Sequence, residues 1–174
     1  MNAKTWLVLG ASLGALAVFA GAFGDHYLPR YHELIGADSG LRAKGKLWWE
    51  TAARYHMYHA LALLAVAWIV NQRKSWLANG AGLAMFLGTL VFSGCLYTMG
   101  MTGMKMLGGV VPFGGLLLMA GWVLLALAGG SLVVRENSGK TLSKREQESL
   151  SGSPKEPPPE ASAPPQEPAA ETAG

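Results

Sequence analysis

The sequence predicts an all-α membrane protein, a four-helix transmembrane bundle with a disordered C-terminal tail, and three observations carry that prediction. Half of the 174 residues are apolar (51%) and only 14% are charged. The charges gather in clusters separated by four uncharged runs, each about long enough to cross a ~30 Å hydrocarbon core at ~1.5 Å per helical residue. Beyond Arg135 the composition turns to Ser, Lys, Glu, Pro and Ala, and seven of the nine prolines follow Ser153. A segment with so little apolar surface cannot offset its ordering entropy, so residues 135–174 are expected to be disordered, with room for a helical piece around Lys140 to Leu150.

The first span, about residues 6–24, follows Lys4. Ala20-Gly21-Ala22 resembles a signal-peptide cleavage site. Gly10, Gly14, Ala17, Gly21 and Gly24, however, recur at four-then-three spacing and draw a seam of small residues along one helix face. A permanent span uses such a seam to approach a neighbour closely.

Residues 25–47 are polar, with Pro29, Gly36 and Asp38-Ser39-Gly40, and read as a loop or short interfacial helix. Asp38 or Ser39 is a plausible N-cap for a helix running through Trp48-Trp49 into the second span, about 52–70. Tryptophans beside lysines suggest anchors at the headgroup level.

The polar turn Asn71-Gln72-Arg73-Lys74-Ser75 brings the third span, about 76–99, straight back, with Gly80, Ala84 and Gly88 on one face. Cys95, the only cysteine, lies inside this apolar run and permits no intramolecular disulfide. A glycine- and methionine-rich connection carrying Lys105 leads to the fourth span, about 110–134. Pro112 falls in its first turn, where a missing N–H is harmless. Gly114, Gly121 and Ala128 give it a seven-residue seam.

Without the tail the body carries nine Lys/Arg against four Asp/Glu, a balance suited to anionic lipid headgroups. The partners expected are the bilayer and either a second copy or another membrane protein. Nucleic acid is not expected, because no basic stripe or binding motif is present. Four spans place both termini on one side, and the positive-inside count slightly favours the cytoplasm.

The same topology carries the end of span one, the start of span two, the end of span three and the start of span four to one membrane face. Asp25, His26, Glu50, Arg54, His56, His59, Tyr97 and Lys105 are therefore candidates for one polar cluster. His56 and His59 lie one turn apart on a helix, on the side with Ala53, Ala60 and Ala67.

Three readings follow. In the first, the aromatic residues form an interfacial belt, Glu50 pairs with Arg54, and the histidines are satisfied by hydrogen bonds. In the second, His56 and His59 hydrate a proton or solute path. In the third, His26, His56 and His59, with Asp25, ligate a metal or haem iron. No HExxH, phosphate loop or hydrolase pattern is present, so no catalytic residue and no cofactor is assigned.

Gly21-Ala22-Phe23-Gly24-Asp25-His26, the stretch from Thr51 to Leu64, Phe92-Ser93-Gly94-Cys95-Leu96-Tyr97, Gly108 to Gly115 and Gly121-Trp122 together resemble the YgdD/YwdK-like family of small multi-pass membrane proteins of unknown function. The resemblance covers about residues 5–130. The chain departs from it in Asp25, in a longer first loop and in the Pro-rich tail. What it implies is topology and a bacterial inner (plasma) membrane location, with no catalytic residue or cofactor to transfer. The function expected is that of an integral membrane protein acting as a non-enzymatic accessory or assembly factor; the alternatives are a small proton- or solute-conducting protein and a haem- or metal-binding one.

Overall fold

A computed structural model describes residues 1–151, and these contain helices and turns but no strand. Helix α1 spans Ala3–His26, α2 Leu28–Leu34, α3 Ser39–Gln72, α4 Trp76–Thr102 and α5 Val111–Ser151; a 3-10 turn, Lys105–Gly109, precedes α5. Three stretches are long and apolar enough to cross a membrane, Ala3–His26, Trp76–Thr102 and Lys105–Ser131.

Local chemistry sets the boundaries. Asn2 caps α1 by accepting from the Thr5 N–H at 2.9 Å, and Asp38 caps α3 through the Leu41 N–H at 2.7 Å. Ser75 caps α4 through the Ala78 N–H at 3.2 Å, immediately after the polar turn that ends α3. Helix α4 stops at Gly103, whose φ of +72° gives its last turn a left-handed exit that L side chains disfavour.

Small residues decide which faces meet. A Cβ at Gly10 would lie 2.9 Å from the Ala60 carbonyl oxygen, and one at Gly24 would run into the Trp49 ring, so α1 lies antiparallel on α3. At the other end of that interface Trp6, 1% exposed, fills the space over Gly82 of α4 and donates its indole N–H to the Asn79 side-chain oxygen at 2.8 Å. Gly45 and Gly100 cross almost backbone to backbone, because a Cβ at Gly45 would be 2.7 Å from the Gly100 oxygen. Helix α5 seats its predicted seam on α4: Gly114 against Phe92, Gly121 against Met85, with Ala128 fully buried. Helix α1 thus lies along α3 and reaches α4 through Trp6, α3 lies against α4, and α5 is seated on α4.

Two expectations are revised. Trp49 is not a headgroup anchor: it is 7% exposed, and its N–H donates to the Ala20 carbonyl of α1 at 2.7 Å. Its indole fills the space that Gly24 leaves, which Lys46 and Trp48 beside it in sequence do not reveal. Helix α5 runs to Ser151, although composition predicts loss of order from Arg135. Between Thr141 and Ser151 the chain holds no Pro or Gly and several strong helix formers, so nothing local stops the helix. The chain divides into two units after Arg135, and the described side chains from 137 to 147 are exposed. The rest of the expected tail, 152–174, lies outside the described residues.

Candidate functional site

The sequence-predicted polar residues come to rest in several separate environments. Asp25, His26, Arg54 and Lys105 are exposed. Glu50 pairs with Lys46 at 3.7 Å, the i,i+4 partner one turn toward the N-terminus, where the sequence suggests Arg54. Both partners are about half-exposed, so the pair contributes little to stability. Lys105 instead borders a cavity of about 400 Å³ with Asp38, Lys44 and Trp48.

His56 and Tyr97 do meet. The Tyr97 hydroxyl and His56 Nδ1 share a hydrogen bond at 3.3 Å, and the Tyr97 ring lies tilted 4.6 Å from that of Trp49, which in turn lies 5.2 Å from Phe23 of α1. His56 Nε2 is buried and has no hydrogen-bond partner among the described residues. With Tyr97 it borders a cavity of about 320 Å³ whose other walls are Leu16, Phe19, Ala20, Phe23 and Trp49.

His59 faces another helix pair. Its Nδ1–H donates to the Tyr55 carbonyl at 2.7 Å, which leaves Nε2 as the acceptor for the Trp122 indole N–H at 3.2 Å. The two bonds together fix the neutral Nδ1–H tautomer. One helical turn from His56, this ring joins α3 to α5 while His56 turns toward α1 and α4. Beside His59 lies a groove of about 930 Å³ between α3 and α5, walled by Tyr55, Tyr58, Phe92, Met119 and Trp122 among others.

Sequence reasoning passed over His32. This residue is 2% exposed, and its Nε2–H donates to the Gly100 carbonyl at 2.8 Å. Gly100 is among the last residues of α4, whose terminal carbonyls have no partner in their own helix, so α2 supplies a side-chain cap for α4. The available signal was the i,i+4 spacing of Leu28 and His32, the two buried residues of α2. Arg73 was also passed over as a tie. Its guanidinium donates to the Ser131 hydroxyl and, at 3.4 Å, to the Ala128 carbonyl, joining the ends of α3 and α5. A further tie is the Ser93 hydroxyl, which donates to the Ala52 carbonyl at 3.0 Å.

The arrangement favours holding helices together. In a low-dielectric surrounding such side-chain bonds between helices satisfy groups that lipid cannot. Among the described residues no three of His, Cys, Asp and Glu are placed to hold one metal ion.

Residues 20–115, from the end of α1 into the first turn of α5, match the family described as Protein of unknown function (DUF423). The chain is 37% identical over 124 residues to UPF0382 membrane protein SSP2132 of Staphylococcus saprophyticus, covering 71% of this chain and 95% of that relative. The chain belongs to this family. DUF423 relatives also include UPF0382 membrane protein YwdK of Bacillus subtilis, 35% identical over 126 residues, 72% of this chain and 95% of YwdK. The resemblance drawn from the sequence blocks is thereby met, and the DUF423 chain is a bacterial integral membrane protein. No solved structure matches it.

Proposed function

We propose that the chain crosses the membrane four times and serves as a non-enzymatic accessory or assembly partner, with its intramembrane histidines acting as ties between helices. Three of the crossings use the stretches that are apolar enough by composition. The fourth is residues 52–70 of α3. This stretch is less apolar because Arg54, Tyr55, His56, Tyr58 and His59 crowd its first turns. It nevertheless packs along α1 from Gly24 to Gly10, and on α4 through Ser93 and Ala52. A helix sandwiched along its length between two spanning neighbours spans with them.

The observation that carries the non-enzymatic reading is the double engagement of His59. Iron ligation or proton relay at Nε2 needs the lone pair that the Trp122 N–H already occupies. The conducting alternative draws support from His56, whose Nε2 is buried without a hydrogen-bond partner among the described residues; the cavity this residue borders has apolar walls and offers no chain of acceptors. Visible absorption, metal analysis and proton flux in liposomes separate these readings. The expected result is a colourless, metal-free, helical protein and vesicles equally tight for wild type, His56→Ala and His59→Ala. A haem band or stoichiometric metal lost in His59→Ala, or flux lost in either variant, overturns the proposal.

A further inference from the structure

An exposed cation, Arg54, lies one helical turn before Tyr58 of the groove between α3 and α5. Arg54, Tyr58, Leu61 and Ala65 follow one another at four-three-four spacing and form one stripe of α3. All four are exposed, and the last three wall the groove. From Tyr55 to Ala65 the α3 wall is about 15 Å long at the helical rise.

The depth of Arg54 follows from the register of its neighbours. Ala52 is bonded to Ser93, Tyr55 lies 5.0 Å from Phe92 ring to ring, and Phe92 abuts Gly114. Arg54 is therefore about level with the first turn of α5. Glu50, four residues before it on the same stripe, is paired with Lys46 at 3.7 Å, so this exposed guanidinium, engaged by no ion pair among the described residues, must extend toward the headgroups or bring an anion to itself.

We propose that this groove is a binding site for an anionic phospholipid. Its phosphate is held by the Arg54 guanidinium with the Tyr58 hydroxyl as a further donor, and one acyl chain lies between Leu61, Ala65, Met119 and Trp122. Charge and shape both contribute: the exposed Arg54 stands one helical turn before Tyr58, which walls the groove, and the walls themselves are mostly aromatic and aliphatic. The inference rests on the four-span reading, which labelling of the turns from the two membrane sides checks independently.

Native mass spectrometry of the full chain, released from detergent with phosphatidylglycerol or phosphatidylcholine of identical acyl chains, tests the site. Wild type is expected to retain one phosphatidylglycerol in preference to phosphatidylcholine by about fivefold. Arg54→Gln and Ala65→Trp, the latter filling the groove from an exposed position, are expected to abolish that preference, whereas Arg54→Lys keeps most of it. Equal retention of the two lipids, or a preference unchanged in Arg54→Gln, overturns the proposal. So does displacement by excess inorganic phosphate, which would make the ligand a free anion. Disulfide-linked dimers of Ala65→Cys in a Cys95→Ser background would assign the groove to a second copy and overturn it as well.

Discussion

The Trp122 indole N–H points at His59 Nε2 from 3.2 Å away, with the two rings edge to face at 6.1 Å between centroids. This one contact commits the histidine's second nitrogen and joins α3 to α5 beside the lipid-facing groove. It explains why a residue that looks like a ligand or proton carrier in the sequence acts as a tie in the fold.

Gly10 and Gly21 lie on the same predicted seam but answer differently to a methyl group. A Cβ at Gly10 would meet the Ala60 carbonyl and the Leu64 side chain under 3 Å, whereas Gly21 has open space. Gly10→Ala is expected to lower stability in detergent by about 1–3 kcal/mol. Gly21→Ala should be neutral or slightly stabilising, since it removes a helix-interior glycine. Thermal unfolding of both variants checks the pair; equal losses would mean the α1–α3 register is different.

Removing the His32 imidazole leaves a terminal carbonyl of α4 unpaired in a buried place. His32→Phe is expected to cost about 1–3 kcal/mol. Hydrogen exchange should locate the loosening at the last turn of α4, residues 99–102. Loss spread evenly over all helices, or no loss, would contradict the capping role.

The proposed four crossings would put the Asp38 and Asn71 turns on opposite sides of the membrane. In a Cys95→Ser background, Asp38→Cys and Met106→Cys should be labelled by an impermeant thiol reagent from one side and Asn71→Cys from the other. Labelling of Asp38→Cys and Asn71→Cys from the same side would leave α3 outside the bilayer.

Much of the fold is legible in the chain because its signals are local. The small-residue seams of α1 and α5, the Asp38 cap and the polar turn before Ser75 all stand where spacing and turn chemistry place them. What the site lost in legibility lies in directions around a helix axis. His56 and His59 are three residues apart, about 60° short of a full turn, which is enough to send one ring toward α1 and Tyr97 and the other toward α5 and Trp122. Topology assigns both to one end of the bundle and says nothing of which neighbour each reaches. Trp49 was misread for a related reason, since its role depends on Gly24 lying opposite, a contact between residues far apart in the chain. His32 was hidden by a polar segment whose two buried positions are its only apolar-face signal.

A double-mutant cycle between His59 and Trp122 tests the central claim, that the intramembrane histidine ties helices together, most directly. Unfolding free energies of wild type, His59→Leu, Trp122→Phe and the double variant are measured in one detergent. A coupling of about 0.6 kcal/mol, and up to about 1.7 kcal/mol, is predicted, as for other hydrogen bonds between membrane helices. Strictly additive losses, with the two side chains energetically independent, would contradict it.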